Sequence, residues 1–235
     1  MSTPIDWTTT HADALRNHWW WRPGWQVGTR FYTWHLTFDG REGLHQLVDH
    51  YQSVLSPFGG LDLVPRRWLH VTMQGVGHVA DVDDAQVDRI VTAVRERLAQ
   101  LDRVFVQFHR PIVRPEAIAI PALPSNQITQ VRDAIRIALG EVLGATEVPE
   151  AAAGYQPHLS LAYSNGQQPA AEIAAALDAS PGRPVDLEVT EAALIVQHRD
   201  DYMYEWFIRA RAPMGHTPGS WTRWWIYAAD GSVAV

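Results

Sequence analysis

The spacing of apolar residues switches repeatedly between two and about 3.6 along this chain, and such switching permits only short strands alternating with helices. Phe31 to Phe38 is a β-branched and aromatic run that stops at the turn pair Asp39-Gly40, which predicts a strand. Leu44, Leu47, Val48, Tyr51 and Leu55 then follow helical spacing until Pro57 and Gly59-Gly60 end the pattern. A strand follows over about 67–75. After Asp81-Val82-Asp83-Asp84, a helix start, the stripe Val87, Ile90, Val91, Val94 and Leu98 predicts a helix to about Leu101. Val104 to Phe108 reads as a strand, and prolines between 111 and 124 leave room only for two short extended pieces. Ser125 can cap a helix whose stripe is Ile128, Val131, Ile135, Leu139 and Leu143. Strand 157–163, helix 170–177 and strands 185–196 and 203–211 complete the series, the last two joined through the charged turn His198-Arg199-Asp200-Asp201. The order implies an α+β domain with two similar halves.

Composition removes several chemistries. The 235 residues contain no Cys, which excludes disulfides, thiolate catalysis and Cys-ligated metal centres. Every basic residue is Arg, so neither a Schiff-base lysine nor a lysine-bearing phosphate loop is available. The net charge of −7 opposes extended nucleic-acid binding, which rests on many phosphate contacts, but leaves room for a small anion in one pocket. No apolar run is long enough to span a bilayer and the first residues lack a secretory pattern, so a cytoplasmic protein without membrane contact is expected.

Two segments 88 residues apart share one arrangement: Trp68-Leu69-His70-Val71-Thr72-Met73-Gln74 and Pro157-His158-Leu159-Ser160-Leu161-Ala162. Strand side chains alternate faces, so His70, Thr72 and Gln74 are expected on one face, and His158 with Ser160 on the corresponding one. A third His-x-hydroxyl pair, His35-Leu36-Thr37, shows that the bare count discriminates little. Equivalent placement in the two halves is the stronger signal. Displacement at phosphorus needs a base for the attacking oxygen and an acid for the leaving one, on opposite sides of the phosphate, and two imidazoles supply both near neutral pH.

These paired strands resemble the signature of the two-histidine (2H) phosphoesterases, the family of 2'-5' RNA ligase-like proteins and cyclic nucleotide phosphodiesterases. The resemblance spans about 31–211. It implies a two-lobed fold with an approximate two-fold, antiparallel sheets around a central cleft and helices outside. It also implies metal-independent hydrolysis of 2',3'-cyclic or 2'-5' phosphodiesters of nucleotides or short RNA ends, with reverse ligation by the same residues. His70 and His158 would be the catalytic acid and base, in an order the sequence leaves open, and Thr72 and Ser160 would bind the phosphate. Gln74 and His35 are candidate pocket-lining residues, although a buried structural histidine is the commoner fate for the latter. No cofactor and no metal are expected, and a monomer is expected. The alternative is a non-catalytic module that binds a nucleotide or an RNA end.

Nothing in the resemblance extends to the Trp-rich ends, 1–30 and 212–235. Trp7, Trp19, Trp20, Trp21 and Trp25 in the first and Trp221, Trp224 and Trp225 in the second are expected to pack against the domain rather than stack on bases. Arg66 and Arg67 could reach a phosphate, but arginines at a strand entrance are usually solvated. Asp81–Asp84 lacks the glycine and distal glutamate of a calcium loop, which leaves helix capping.

Overall fold

The computed structural model describes residues 6–215. In chain order the strands and helices are β1 (Ala14–Leu15), β2 (Phe31–Thr37), α1 (Glu42–Leu55), β3 (Leu61–Leu63), β4 (His70–His78), α2 (Asp84–Leu98), β5 (Val104–Phe108), β6 (Ile112–Val113) and β7 (Ala117–Pro121). They continue with α3 (Ser125–Leu143), β8 (His158–Ser164), β9 (Gln168–Pro169), α4 (Ala171–Ala179), β10 (Val185–Val189), β11 (Glu191–His198) and β12 (Glu205–Pro213). One antiparallel sheet runs β12-β11-β2-β4-β8-β7-β6, with β3 also on β8. Among the described residues no helix is long and apolar enough to cross a membrane.

The helices lie where their stripes demand. Leu44, Leu47, Val48, Tyr51 and Leu55 of α1 are all buried, as are Val87, Ile90, Val91, Val94 and Leu98 of α2. Asp83 caps α2 through a reciprocal box: its carboxylate accepts from the Gln86 backbone N–H at 2.7 Å, and the Gln86 side chain accepts from the Asp83 N–H at 3.3 Å. Capping therefore accounts for Asp83 of the acidic run.

Two halves are related by an approximate exchange. The first runs β2, α1, β4, α2, β5 and the second β7, α3, β8, α4, β10. The helices are swapped between halves: α1 packs on β8, β10 and α4, and α3 packs on β4, β5 and α2. Each half thus buries the apolar back of the other's central strand, so neither lobe holds a complete core without the other.

The structure corrects several sequence expectations. β4 starts at His70, because Pro65 and a 3-10 turn over Arg66–Trp68 precede it. Ser125 is the first residue of α3 rather than its cap, and no side chain among the described residues caps that end. The run 185–196 divides at Thr190: β10 pairs with β5 in a separate ribbon, and β11 enters the main sheet between β2 and β12. Arg199 in the charged turn is only 3% exposed.

The N-terminal segment follows the edge of the second half. Its backbone bonds to Val113, Pro115 and Ser164, and β1 pairs with β9. Trp19 is buried and donates its indole N–H to Asp62 at 2.7 Å, whereas Trp20 and Trp21 stay about half exposed. Trp221, Trp224 and Trp225 lie outside the described residues.

Candidate active site

The two motif strands meet at a single ladder pair, Val71 opposite Leu159. These two residues correspond under the exchange of halves, so the approximate two-fold passes between them. The consequence is geometric. The neighbours of Val71 and Leu159 all point to the opposite face, which brings His70 beside Ser160 and Thr72 beside His158. The two histidines then lie on a diagonal across this crossing. His70, Thr72, His158 and Ser160 all line one cleft of about 660 Å³.

Each motif is followed by a bulge at the same place. Against β2, the register of β4 jumps from Thr72 to Gln74 and leaves Met73 unpaired. Against β7, the register of β8 jumps from Ser160 to Ala162 and leaves Leu161 unpaired. A bulge resets the alternation. Gln74 is therefore fully buried on the α3 side, where it donates to Pro149 O at 2.6 Å and accepts from Arg136 at 2.6 Å. The expectation that Gln74 lines the pocket does not hold, because strict period two fails at Met73.

His35 is also displaced from the cleft wall. Opposite Thr72 on β2, it lies 1% exposed beneath His70, with ring centroids 4.2 Å apart and planes 7° apart. Its Nε2 is 3.5 Å from the Thr72 hydroxyl. It supports the site from behind. Arg66 and Arg67 do not line the cleft: the first pairs with Asp49, and the second lies over Trp68.

Both candidate catalytic rings are held the same way. His70 Nδ1 donates to Trp68 O at 2.8 Å, and His158 Nδ1 donates to Gln156 O at 2.6 Å. A carbonyl can only accept, so each Nδ1 carries the proton and each Nε2 is left to exchange one. Burial lowers the pKa of His70 to about 4, against the carbonyl bond that raises it. Burial also lowers His158 to about 4, helped by the cation of Arg114 and opposed by its own carbonyl bond. Both rings are neutral at pH 7 until an anion arrives.

Other contributors carried little sequence signal. Arg132, 3% exposed on α3, donates to Met73 O at 2.8 Å and to the carbonyls of Ala151 and Ala152, while Tyr155 donates to Thr72 O at 2.7 Å. Together they satisfy the carbonyls that the first bulge frees from the ladder. An arginine within an otherwise apolar helical stripe was the available clue. Arg16, His18, Arg22 and Trp25 of the N-terminal segment also line the cleft, with Arg114 and Arg199 from elsewhere. That segment has no period from which their direction could be read.

A family model described as the 2'-5' RNA ligase superfamily matches residues 41–201, which include both motifs. The chain belongs to this superfamily. The membership agrees with the 2H resemblance of the two motifs and with a phosphoesterase or RNA ligase-like activity. Among solved structures, the protein TT0787 of Thermus thermophilus is 20% identical with a TM-score of 0.58, over 79% of this chain and 97% of that one. Escherichia coli LigT complexed with 3'-AMP is 11% identical with a TM-score of 0.56, over 79% and 98%. The MHV ns2 PDE domain is 12% identical with a TM-score of 0.50, over 71% and 97%. At these identities the likeness shows the fold. No curated protein matches the chain.

Proposed function

We propose that this member of the superfamily hydrolyses 2',3'-cyclic or 2'-5' phosphodiesters of nucleotides or short RNA ends, without a metal ion, through His70 and His158. The observation that carries the reading is the crossing at Val71 and Leu159, which puts two Nδ1-anchored imidazoles and two hydroxyls on the lining of one cleft. Water attacks phosphorus as one histidine Nε2 takes its proton, and the other gives its Nε2 proton to the departing ribose oxygen. The hydroxyls of Thr72 and Ser160 donate to the non-bridging oxygens, where negative charge develops. Ligation follows the same displacement with a ribose 5' hydroxyl attacking the 2',3'-cyclic phosphate in place of water, the new P–O bond forming as the bond to the 3' oxygen breaks and that oxygen takes the proton.

The environments differ, since Arg114 opposes protonation of His158 and no comparable cation among the described residues bears on His70, but burial lowers both rings to about 4, so both orders of acid and base fit the site. Substrate size fits the cleft, whose volume accommodates a nucleotide. Structures of E. coli LigT with 3'-AMP, ATP, NADP+ and phosphate agree with a small phosphorylated ligand. The expected form is a cytoplasmic monomer.

The test is turnover of 2',3'-cyclic nucleotides and 2'-5'-linked dinucleotides in excess EDTA. Activity unchanged by the chelator supports the proposal. Loss with rescue by a divalent ion overturns metal independence, and binding without turnover of any substrate establishes the non-catalytic alternative.

A further inference from the structure

Arg16, His18, Arg22 and Trp25 belong to the cleft but precede the region that the family model covers. They face Arg199 and Tyr204, from the turn between β11 and β12 and the residue before β12. His18 ties the two together: its Nε2 lies 3.1 Å from the Tyr204 hydroxyl, and its ring stacks on Tyr163 with centroids 4.4 Å apart. Tyr163 is on β8, three residues beyond Ser160, so this wall adjoins the catalytic face.

The wall holds more positive charge than it neutralises. Arg16, Arg22, Arg114 and Arg199 line the cleft against two carboxylates, Glu116 and Glu150, in a chain whose net charge is −7. Glu116 is shared, accepting from Arg16 at 3.0 Å and from Arg22 at only 3.4 Å. Arg199 is the extreme case. Its guanidinium is boxed by Trp19, Trp21 and Tyr204 at 5.4, 5.6 and 5.8 Å, and its Nη2 donates to Trp20 O at 3.0 Å. Its Nε and Nη1 have no hydrogen-bond partner among the described residues, and the adjacent Asp200 pairs with Arg30 instead. A buried cation without a counter-ion is costly unless a ligand supplies the anion.

We propose that this wall is a second phosphate subsite, with Arg22 as the donor that reaches the ligand and Arg199 as the fixed charge behind it. The protein would then select nucleotides that bear a phosphoryl group on the 5' carbon in addition to the phosphate held between the histidines. The identity of that first phosphate rests on the proposed function; the second subsite rests on the arginines.

Equilibrium binding of 3'-AMP and of adenosine 3',5'-bisphosphate to the full chain tests this without requiring turnover. A charge-assisted contact predicts roughly 10- to 100-fold tighter binding of the bisphosphate. Arg22→Gln, at a partly exposed side chain, is expected to bring that ratio close to one, and Arg103→Gln, on a salt bridge to Glu188 away from the cleft, to leave it intact. Equal affinities in the wild type, or a preference that survives Arg22→Gln, would overturn the proposal. A preserved preference without hydrolysis of 2',3'-cyclic AMP would overturn the catalytic reading alone, and hydrolysis without the preference would overturn this inference alone.

Discussion

In the proposed reaction, raising the pH removes the proton that the general acid must give, and the burial of the site sets the pH at which that loss begins. His70 and His158 are each lowered to about 4. At pH 7 only about 10⁻³ of either imidazole is protonated in the free protein. Because kcat/KM reports the free enzyme, and the reaction needs one protonated and one neutral ring, kcat/KM is expected to fall about tenfold per pH unit between roughly pH 5 and 7. The complex differs: an anionic phosphodiester between the rings favours imidazolium, so the alkaline limb of kcat lies at higher pH. KM therefore rises with pH where kcat stays level. The assay is a pH–rate profile on a 2',3'-cyclic nucleotide at constant ionic strength, with folding followed at each pH. A kcat/KM that is flat or rising from pH 5 to 7 would refute the reasoning, since the transferred proton would then come from outside the pair.

His70→Ala and His158→Ala are each expected to lose about 10²–10⁴-fold in kcat while remaining folded, and Thr72→Ala and Ser160→Ala less; wild-type turnover by either histidine variant sinks the assignment. His35→Ala removes the ring stacked under His70 and should lower kcat by about 10- to 10²-fold with little change in KM, whereas kcat equal to wild type would show that the stack does not orient His70. Acid should destabilise the free protein. For His70 and His158 the folded value lies below the ordinary 6.5, so the unfolded chain binds more protons and stability falls as pH drops from about 6.5 towards 4. His18, lowered to about 3 by burial and then by Arg22 and Arg199, carries the loss further; denaturant midpoints that do not change across that range would contradict the buried neutral histidines.

The residues that the sequence exposed most clearly are those whose neighbours obey a simple period. Helices α1 and α2 were readable from their stripes, and His70, Thr72, His158 and Ser160 from an alternation that holds for the three residues each motif needs. The bulge at Met73 ended that alternation, which is why Gln74 turned to Arg136 instead of the cleft. The division at Thr190 was hidden because β10 and β11 are both extended and only one residue separates them; their partners differ. The cleft wall from Arg16 to Trp25 follows no period at all. Its position depends on backbone bonds to Pro115 and Ser164, far along the chain, and no local pattern encodes those.

The approximate two-fold through Val71 and Leu159 makes the two imidazoles nearly interchangeable, yet the proposed hydrolysis requires them to differ. The difference comes from what surrounds each motif. Opposite Thr72 stands His35, whose ring underlies His70, and Trp206 packs on the same imidazole at 5.1 Å; opposite Ser160 the equivalent residue is Ala119, and His158 has Arg114 nearby instead. One histidine is packed in an aromatic stack and the other has a cation in its surroundings. The cation opposes a proton on His158, and the neutral stack fixes the plane of His70 without repelling one. The motifs supply two chemically equivalent groups, and what distinguishes them is their unequal flanks.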